Sequence, residues 1–283
     1  MFKEFRKNVR EFWQEEPFDF FFYRFFAYLI VRATYRLPLN PNHFSLLGLI
    51  TAILTGVTLA EGTRESFILG GLGIFLFGVF DCCDGLLARM KGNGTKYGAL
   101  IDMVIDVISA LSFYSGVTIG LVKSSEVFTW ELTFPVLSMF AIAAHAGIYH
   151  FYKKQFVFFI NKDPKGFNNE IEQYRKEYEE LKEKNGSLID RILILFYLKL
   201  NTTRKENPNI FNYEFQSFIS YNKKTVPLWG VIAGSSHLTI LSYCLIMNNL
   251  DFYFYYALIF GNLWVVMMTM VQKIKLERIE VIN

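Results

Sequence analysis

The chain has 283 residues, 52% of them hydrophobic and 18% aromatic, with a mean hydropathy of +0.25. That is apolar for a soluble protein of this size, and a net charge of +3 gives no reason to expect a nucleic-acid partner. Three cysteines provide no disulfide framework, since Cys82 and Cys83 are sequence neighbours and Cys244 stands alone; they read as small apolar packing residues.

Residues 1–16 read as a basic amphipathic helix lying in a membrane interface, with Phe2, Phe5, Val9, Phe12 and Trp13 against Lys3, Lys7 and Arg10. This segment has no uncharged apolar core and no small-residue cleavage site, so no cleavable signal peptide is expected. Residues 17–38 are aromatic-rich but carry Asp19, Arg24, Arg32 and Arg36, which argues for an interfacial or steeply tilted helix rather than a span. Pro38 and Pro41 break it, and a new helix starts. Six stretches then have the length and apolarity of transmembrane helices: about 43–60, 67–90, 97–122, 132–152, 226–248 and 252–272. Residues 91–95, KGNGT, make a glycine turn that sets the second and third spans antiparallel and side by side.

Between 153 and 224 the chain turns polar. Residues 168–184 form a helix with one apolar stripe, Ile171, Tyr174, Tyr178 and Leu181. Asn185-Gly186 ends it, and Ser187 starts a second helix, giving a hairpin on the membrane surface. The expected fold is therefore all-α: a polytopic bundle of six transmembrane helices with an N-terminal interfacial helix and a cytoplasmic helical hairpin. Its divisions are 1–40 interfacial, 41–152 the first four spans, 153–224 the insert and 225–283 the last two spans with a tail. In this topology 27 of the 29 Lys and Arg residues share one side, and only Arg64 and Lys123 lie on the other. The positive-inside rule then puts both termini in the cytoplasm. His145, His150 and His237 have no metal-ligand spacing and read as hydrogen-bonded interior residues.

Four acids interrupt otherwise apolar helices: Asp81 and Asp84 near the end of the second span, Asp102 and Asp106 near the start of the third. An Asp at a helix centre costs roughly 2.5–3.5 kcal/mol on insertion scales, so four must be neutralised by a cation, a basic partner or a water-filled cavity. Spacings of i,i+3 and i,i+4 put each pair on one helix face, and both pairs lie near the turn. Carboxylates without His or Cys suit Mg²⁺, Mn²⁺ or Ca²⁺, and four suffice for a two-metal site that clamps a phosphate. Arg89 is the nearest base, able to bind phosphate or pair with an Asp.

The stretch DCCDGLLARMKGNGTKYGALIDMVID, 81–106, resembles the signature of the CDP-alcohol phosphotransferase family: D-x-x-D-G-x-x-A-R, eight residues, then G-x-x-x-D-x-x-x-D. Asp81, Asp84, Gly85, Ala88, Arg89, Gly98, Asp102 and Asp106 fill every fixed position. Chance occurrence is on the order of 10⁻¹⁰ per start site, so the resemblance is specific. Upstream, Pro41-Asn42 and Ser45 are similar to the family's Pro-Asn-x-x-Thr element, with Ser in place of Thr. The insert departs from compact members and is similar to those of some larger bacterial relatives.

The resemblance implies a membrane transferase of phospholipid biosynthesis. It would move a substituted phosphate, in the favoured reading phosphatidyl, from a CDP-alcohol to an acceptor alcohol with release of CMP. Asp81, Asp84, Asp102 and Asp106 would hold Mg²⁺ (or Mn²⁺), two ions in all, and Asp106 would also serve as general base. Asn42 and Ser45 would help hold the cytidine end, Gly85, Ala88 and Gly98 would admit the nucleotide, and Arg89 would orient a carboxylate or phosphate. Partners would be a CDP-alcohol and an alcohol, one of them a lipid, and members are often homodimers. The site would face the cytoplasm of a bacterial cell. From placement alone, Lys153, Lys154, Lys223 and Lys224 are candidates for an acceptor phosphate, against a plain anchoring role. CDP-ethanolamine or CDP-choline with a lipid acceptor is the alternative substrate pair. A transporter, a prenyl transferase and a catalytically inactive scaffold are the readings from other classes.

Overall fold

The computed structural model describes residues 12–124, 132–163, 165–201 and 213–277. Residues 1–11 of the expected amphipathic helix lie outside the described residues; Phe12–Gln14 form a 3₁₀ turn. Eleven α-helices follow, and no strand occurs among the described residues. A π-helical turn, Asp19–Tyr23, leads into α1 (Arg24–Thr34), which is too short and charged to span. The helices α2 (Pro41–Leu59), α3 (Arg64–Lys91), α4 (Gly98–Ser124) and α5 (Thr133–Ile160) are each long and apolar enough to cross a membrane. The insert consists of α6 (Gly166–Glu183) and α7 (Leu188–Asn201). The fifth span, Phe215–Ile246, is broken into α8 (Phe215–Trp229), a 3₁₀ turn and α9 (Gly234–Ile246). The sixth, Leu250–Leu276, runs through α10 (Leu250–Tyr255), a π turn and α11 (Gly261–Leu276). The protein is an integral membrane protein with an all-α polytopic bundle.

Local chemistry sets the helix starts. Asn40 caps α2 in a reciprocal box with His43 (3.2 and 3.1 Å), with Pro41 in the first turn. Thr63 and Ser66 form the same box at α3. The helix α3 stops at Gly92, whose φ of +64° a residue with a side chain adopts with strain. Ser187 caps α7 by accepting from the Asp190 amide at 3.3 Å, as its sequence spacing suggests.

The sequence reading of α3 and α4 as side-by-side neighbours needs correction. Beyond their connecting turn they touch little, because α2 packs along both. Small residues make this possible. A Cβ on Gly116 would strike the Gly56 backbone, Ser112 donates to the Ala52 carbonyl at 3.0 Å, and on the other side Gly70 and Gly73 accept Leu59 and Thr55. Close backbone approach through small residues is how membrane helices gain packing when lipid is as apolar as leucine. With α2 wedged between them, α3 and α4 diverge from the turn, and the acidic faces near it are left in a cleft. The remainder of α3 is covered by α9, where Ser242 donates to the Gly71 carbonyl at 2.8 Å.

Outward-facing Leu54 and Val57 on α2, Leu69 on α3, Phe140 on α5 and Leu263 on α11 are exposed, as a lipid-facing belt requires. Inside, His145 and His237 are hydrogen-bonded to one another at 3.1 Å, and His237 reaches the Tyr253 hydroxyl at 3.2 Å. Tyr253 in turn meets Tyr114. The two histidines are thus interior polar ties between helices, and the three cysteines are buried and unpaired.

Candidate active site

The helix α3 carries Asp81 and Asp84 one turn apart, and the second and third turns of α4 carry Asp102 and Asp106. The fold brings three of the four together: carboxylate oxygens of Asp81, Asp102 and Asp106 all lie within 4.8 Å of one another. Asp81 and Asp102 are half-buried and Asp106 is exposed, so the cluster lies at the surface of the bundle rather than sealed in its core. Three oxygens at that mutual distance suit one hard cation with ligands about 2.0–2.6 Å away. The donor set is entirely oxygen, which excludes a zinc site of the Cys/His type.

Asp84 is held differently. Its Oδ2 accepts a 2.7 Å hydrogen bond from Ser45 Oγ in the first turn of α2, and Arg89 engages it electrostatically. Ser45 is buried, so the bond is shielded from water. Asn42 sits one turn earlier, its Oδ1 at 3.5 Å from Thr95 Oγ1 in the 92–97 turn. A Cβ placed on Gly85 would have only Arg89 Nη1 within 4 Å, at 3.4 Å, so that face of α3 is open. On Gly98 it would meet Thr95 Oγ1 at 3.0 Å. Ala88 is half-buried beside the same turn. Lys91 ties the end of α3 to the chain before α2 by donating to the Leu37 and Leu39 carbonyls at 3.0 and 2.9 Å.

Of the four lysines singled out in the sequence, Lys153 has its Nζ 5.3 Å from the centre of the Tyr149 ring and interacts electrostatically with Asp19. Lys154 is engaged by the insert, pairing with Glu170 at 2.6 Å and donating to the Tyr197 hydroxyl at 3.1 Å. Lys223 and Lys224 are exposed on α8.

The structure also brings up residues that the sequence reading used only as arguments against a span. Asp19 interacts electrostatically with Asp81, Asp102 and Asp106, and Glu16 with Asp106. Burial and the neighbouring Glu16 carboxylate push the Asp19 carboxyl up to about 8. Arg24 is buried beside them and donates to the Cys82 carbonyl at 3.1 Å. The available signal was the presence of charges in an aromatic stretch, which has no sequence spacing to the acids it meets. The insert is also bound to the turn: Glu177 on α6 pairs with Lys96 and accepts from the Tyr97 hydroxyl.

Residues 39–157 match the sequence model of the CDP-alcohol phosphatidyltransferase family. Over 97 residues, 34% of this chain and 43% of the relative, the chain is 32% identical to phosphatidylinositol phosphate synthase of Corynebacterium glutamicum. It is 30% identical over 102 residues to archaetidylinositol phosphate synthase of Pyrococcus horikoshii, covering 36% of this chain and half of that protein. To the CDP-diacylglycerol–inositol 3-phosphatidyltransferase of Candida albicans it is 38% identical over 79 residues, 27% of this chain and 33% of the relative. The chain thus spans half or less of the length of the curated relatives it matches. Residues 39–157, the stretch similar to that family, contain the whole acidic cluster and its Ser45 partner.

Proposed function

We propose that the protein transfers a phosphatidyl group from CDP-diacylglycerol to a polar acceptor alcohol, a cyclic polyol or its phosphate, releasing CMP. The observation that carries this reading is the convergence of Asp81, Asp102 and Asp106 within 4.8 Å of one another, with Asp106 exposed. The three relatives above are named for inositol or inositol phosphate transfer, which favours this donor and acceptor over CDP-ethanolamine or CDP-choline with a lipid alcohol. Lys153, which interacts electrostatically with Asp19, favours an acceptor bearing a phosphate.

In this reading Asp81, Asp84, Asp102 and Asp106 hold divalent cations, Mg²⁺ by ligand type and Mn²⁺ as its substitute, two ions in the fullest form. When bound, the cation supplies charge stabilisation to the pyrophosphate being cleaved. Asp106, the most open of the acids, accepts the proton of the acceptor hydroxyl as that oxygen attacks the phosphorus distal to cytidine. The bond from that phosphorus to the bridging oxygen breaks, and CMP leaves with the electron pair. General-base help of this kind is worth about 10²–10⁴-fold. Ser45 orients Asp84 through its hydrogen bond. Arg89 stands where it balances Asp84 and a donor phosphate. Gly85, Ala88 and Gly98 leave room for the nucleotide, and Asn42 lies beside them for its cytidine end. The positive-inside bias favours a cytoplasmic site and cytoplasmic termini, with 1–40 as an interfacial segment, 41–160 as the catalytic spans, 161–214 as the insert and 215–283 as closing spans and tail. A homodimer is part of the proposal by family likeness.

The test is CMP release by purified protein in detergent with Mg²⁺. CDP-diacylglycerol, CDP-ethanolamine and CDP-choline are supplied separately with inositol, inositol phosphate, glycerol phosphate or serine, alongside Asp106→Asn. CMP release requiring CDP-diacylglycerol and an inositol-type acceptor, and lost in the variant, supports the proposal. Release from CDP-ethanolamine or CDP-choline moves the assignment to the other substrate pair. Folded protein that releases no CMP from any pair overturns it.

A further inference from the structure

Arg24 stands at the centre of an arrangement that the proposed chemistry does not use. Arg24 is 7% exposed, and its partner Glu15 is 3% exposed. One nitrogen pairs with Glu15 Oε2 at 2.7 Å and another donates to the Cys82 carbonyl at 3.1 Å. Cys82 directly follows Asp81 on α3. The turn bearing Arg24 is fastened on both sides: Tyr23 donates to or accepts from Thr239 on α9 at 2.8 Å and packs on Gly78, and Glu16 accepts from the Ser235 amide at 2.8 Å. Arg24 is thereby fixed next to the acids rather than free to swing away.

Stability is a poor explanation for this pair. Buried ion pairs seldom outperform apolar packing of the same volume, and here Glu15 Oε1 and Arg24 Nε are buried with no hydrogen-bond partner among the described residues. What an apolar substitute would not supply is a permanent positive charge beside the cluster. Arg24 interacts electrostatically with Asp19, Asp81 and Asp84.

We infer that Arg24, held by Glu15 against the Cys82 carbonyl, is a positioning residue that fixes Asp81 and sets how strongly the cluster attracts a divalent cation. This rests on the reading of the cluster as a cation site. Arg24 offsets part of the acids' charge, and Glu15 offsets part of Arg24's. Removing either one shifts the local potential in opposite directions, whereas a packing role makes both losses harmful in the same direction.

The experiment is Mn²⁺ binding to the full chain in detergent, read by electron paramagnetic resonance of free Mn²⁺, with melting temperature measured in parallel. Arg24→Gln is expected to tighten Mn²⁺ by about tenfold, from one unit charge near a divalent ion at intermediate dielectric. Glu15→Gln is expected to weaken it by a similar factor, and the double variant to return close to the wild-type value. Should Arg24→Gln fail to fold, because it orphans a buried Glu15, the step from Glu15→Gln to the double variant removes the same charge with no orphan left. Tightening across that step supports the inference. Weaker or unchanged binding in both backgrounds, with wild type binding Mn²⁺ and Asp102→Asn losing it, overturns the inference and leaves the cation site standing. Wild type that binds no Mn²⁺ overturns the cation reading itself, and this inference with it.

Discussion

Ser45 Oγ donates a 2.7 Å hydrogen bond to Asp84 Oδ2, joining the first turn of α2 to the acidic end of α3 across 39 residues of sequence. A hydrogen bond to a charged group is worth about 1.5–3 kcal/mol, so Ser45→Ala is expected to lower kcat/KM for CMP release by about 10–100-fold. Ser45→Thr keeps the hydroxyl and is expected to stay within a few-fold of wild type. Equal losses in both variants would mean that the bond does not orient Asp84.

Removal of divalent cations should stop the proposed reaction. Dialysis against EDTA is expected to abolish CMP release, with recovery on adding Mg²⁺ or Mn²⁺ but not Na⁺. Asp81→Asn or Asp102→Asn should raise the metal concentration for half-maximal rate by at least about tenfold, since each removes one charge at the mutual 4.8 Å spacing. A full rate in EDTA would remove the metal from the proposal.

The α2–α4 crossing has no slack at Gly116, where an added Cβ meets the backbone of Gly56 rather than a movable side chain. Overpacking of this kind costs about 1–3 kcal/mol or more. Gly116→Leu is therefore expected to lower the melting temperature by several degrees or to give polydisperse protein in size exclusion, while Gly94→Ala, in the open turn, changes neither.

Glu177 gives the insert a pH-dependent hold on the 92–97 turn. Burial would raise its carboxyl, but hydrogen bonds from Lys96 and Tyr97 outweigh that and keep it below the usual carboxylate range. A carboxyl with a depressed folded value contributes stability above its unfolded value, 4.5, and loses that contribution as pH falls through the folded value. Hydrogen-exchange protection factors in α6, with the intrinsic pH dependence of exchange divided out, should thus be high and flat at pH 5–8 and fall below about 4.5. Glu177→Gln should show the lower protection at every pH; if it exchanges like wild type at pH 7, the latch does not hold α6.

Much of the membrane architecture was legible because hydropathy is a property of each segment alone. Four of the six spans fall close to the expected positions, while α5 runs on to Ile160, past the anticipated end near 152, and the fifth span starts at Phe215 rather than near 226. The acids were legible for the same reason: i,i+3 and i,i+4 spacings are fixed by helical geometry. The insert's two helices and the Ser187 cap were read from local pattern as well. Arg24 and Glu15 were not, because the meaning of a charge in an aromatic stretch depends on what lies beside it, and Cys82 is 58 residues away.

The sequence by itself determined that this is a six-span helical membrane protein with four carboxylates in the spacing of the CDP-alcohol phosphotransferase signature it resembles. Those features follow from local apolarity and from one helix's own periodicity. Only the tertiary structure decided that α2 wedges between α3 and α4, that Asp84 turns to Ser45 while the other three acids converge, and that Arg24 and Glu177 fasten the cleft from either side. Each of those depends on small residues and paired charges meeting across long sequence separations, and such meetings are selected by the packing of the whole bundle rather than by any one segment.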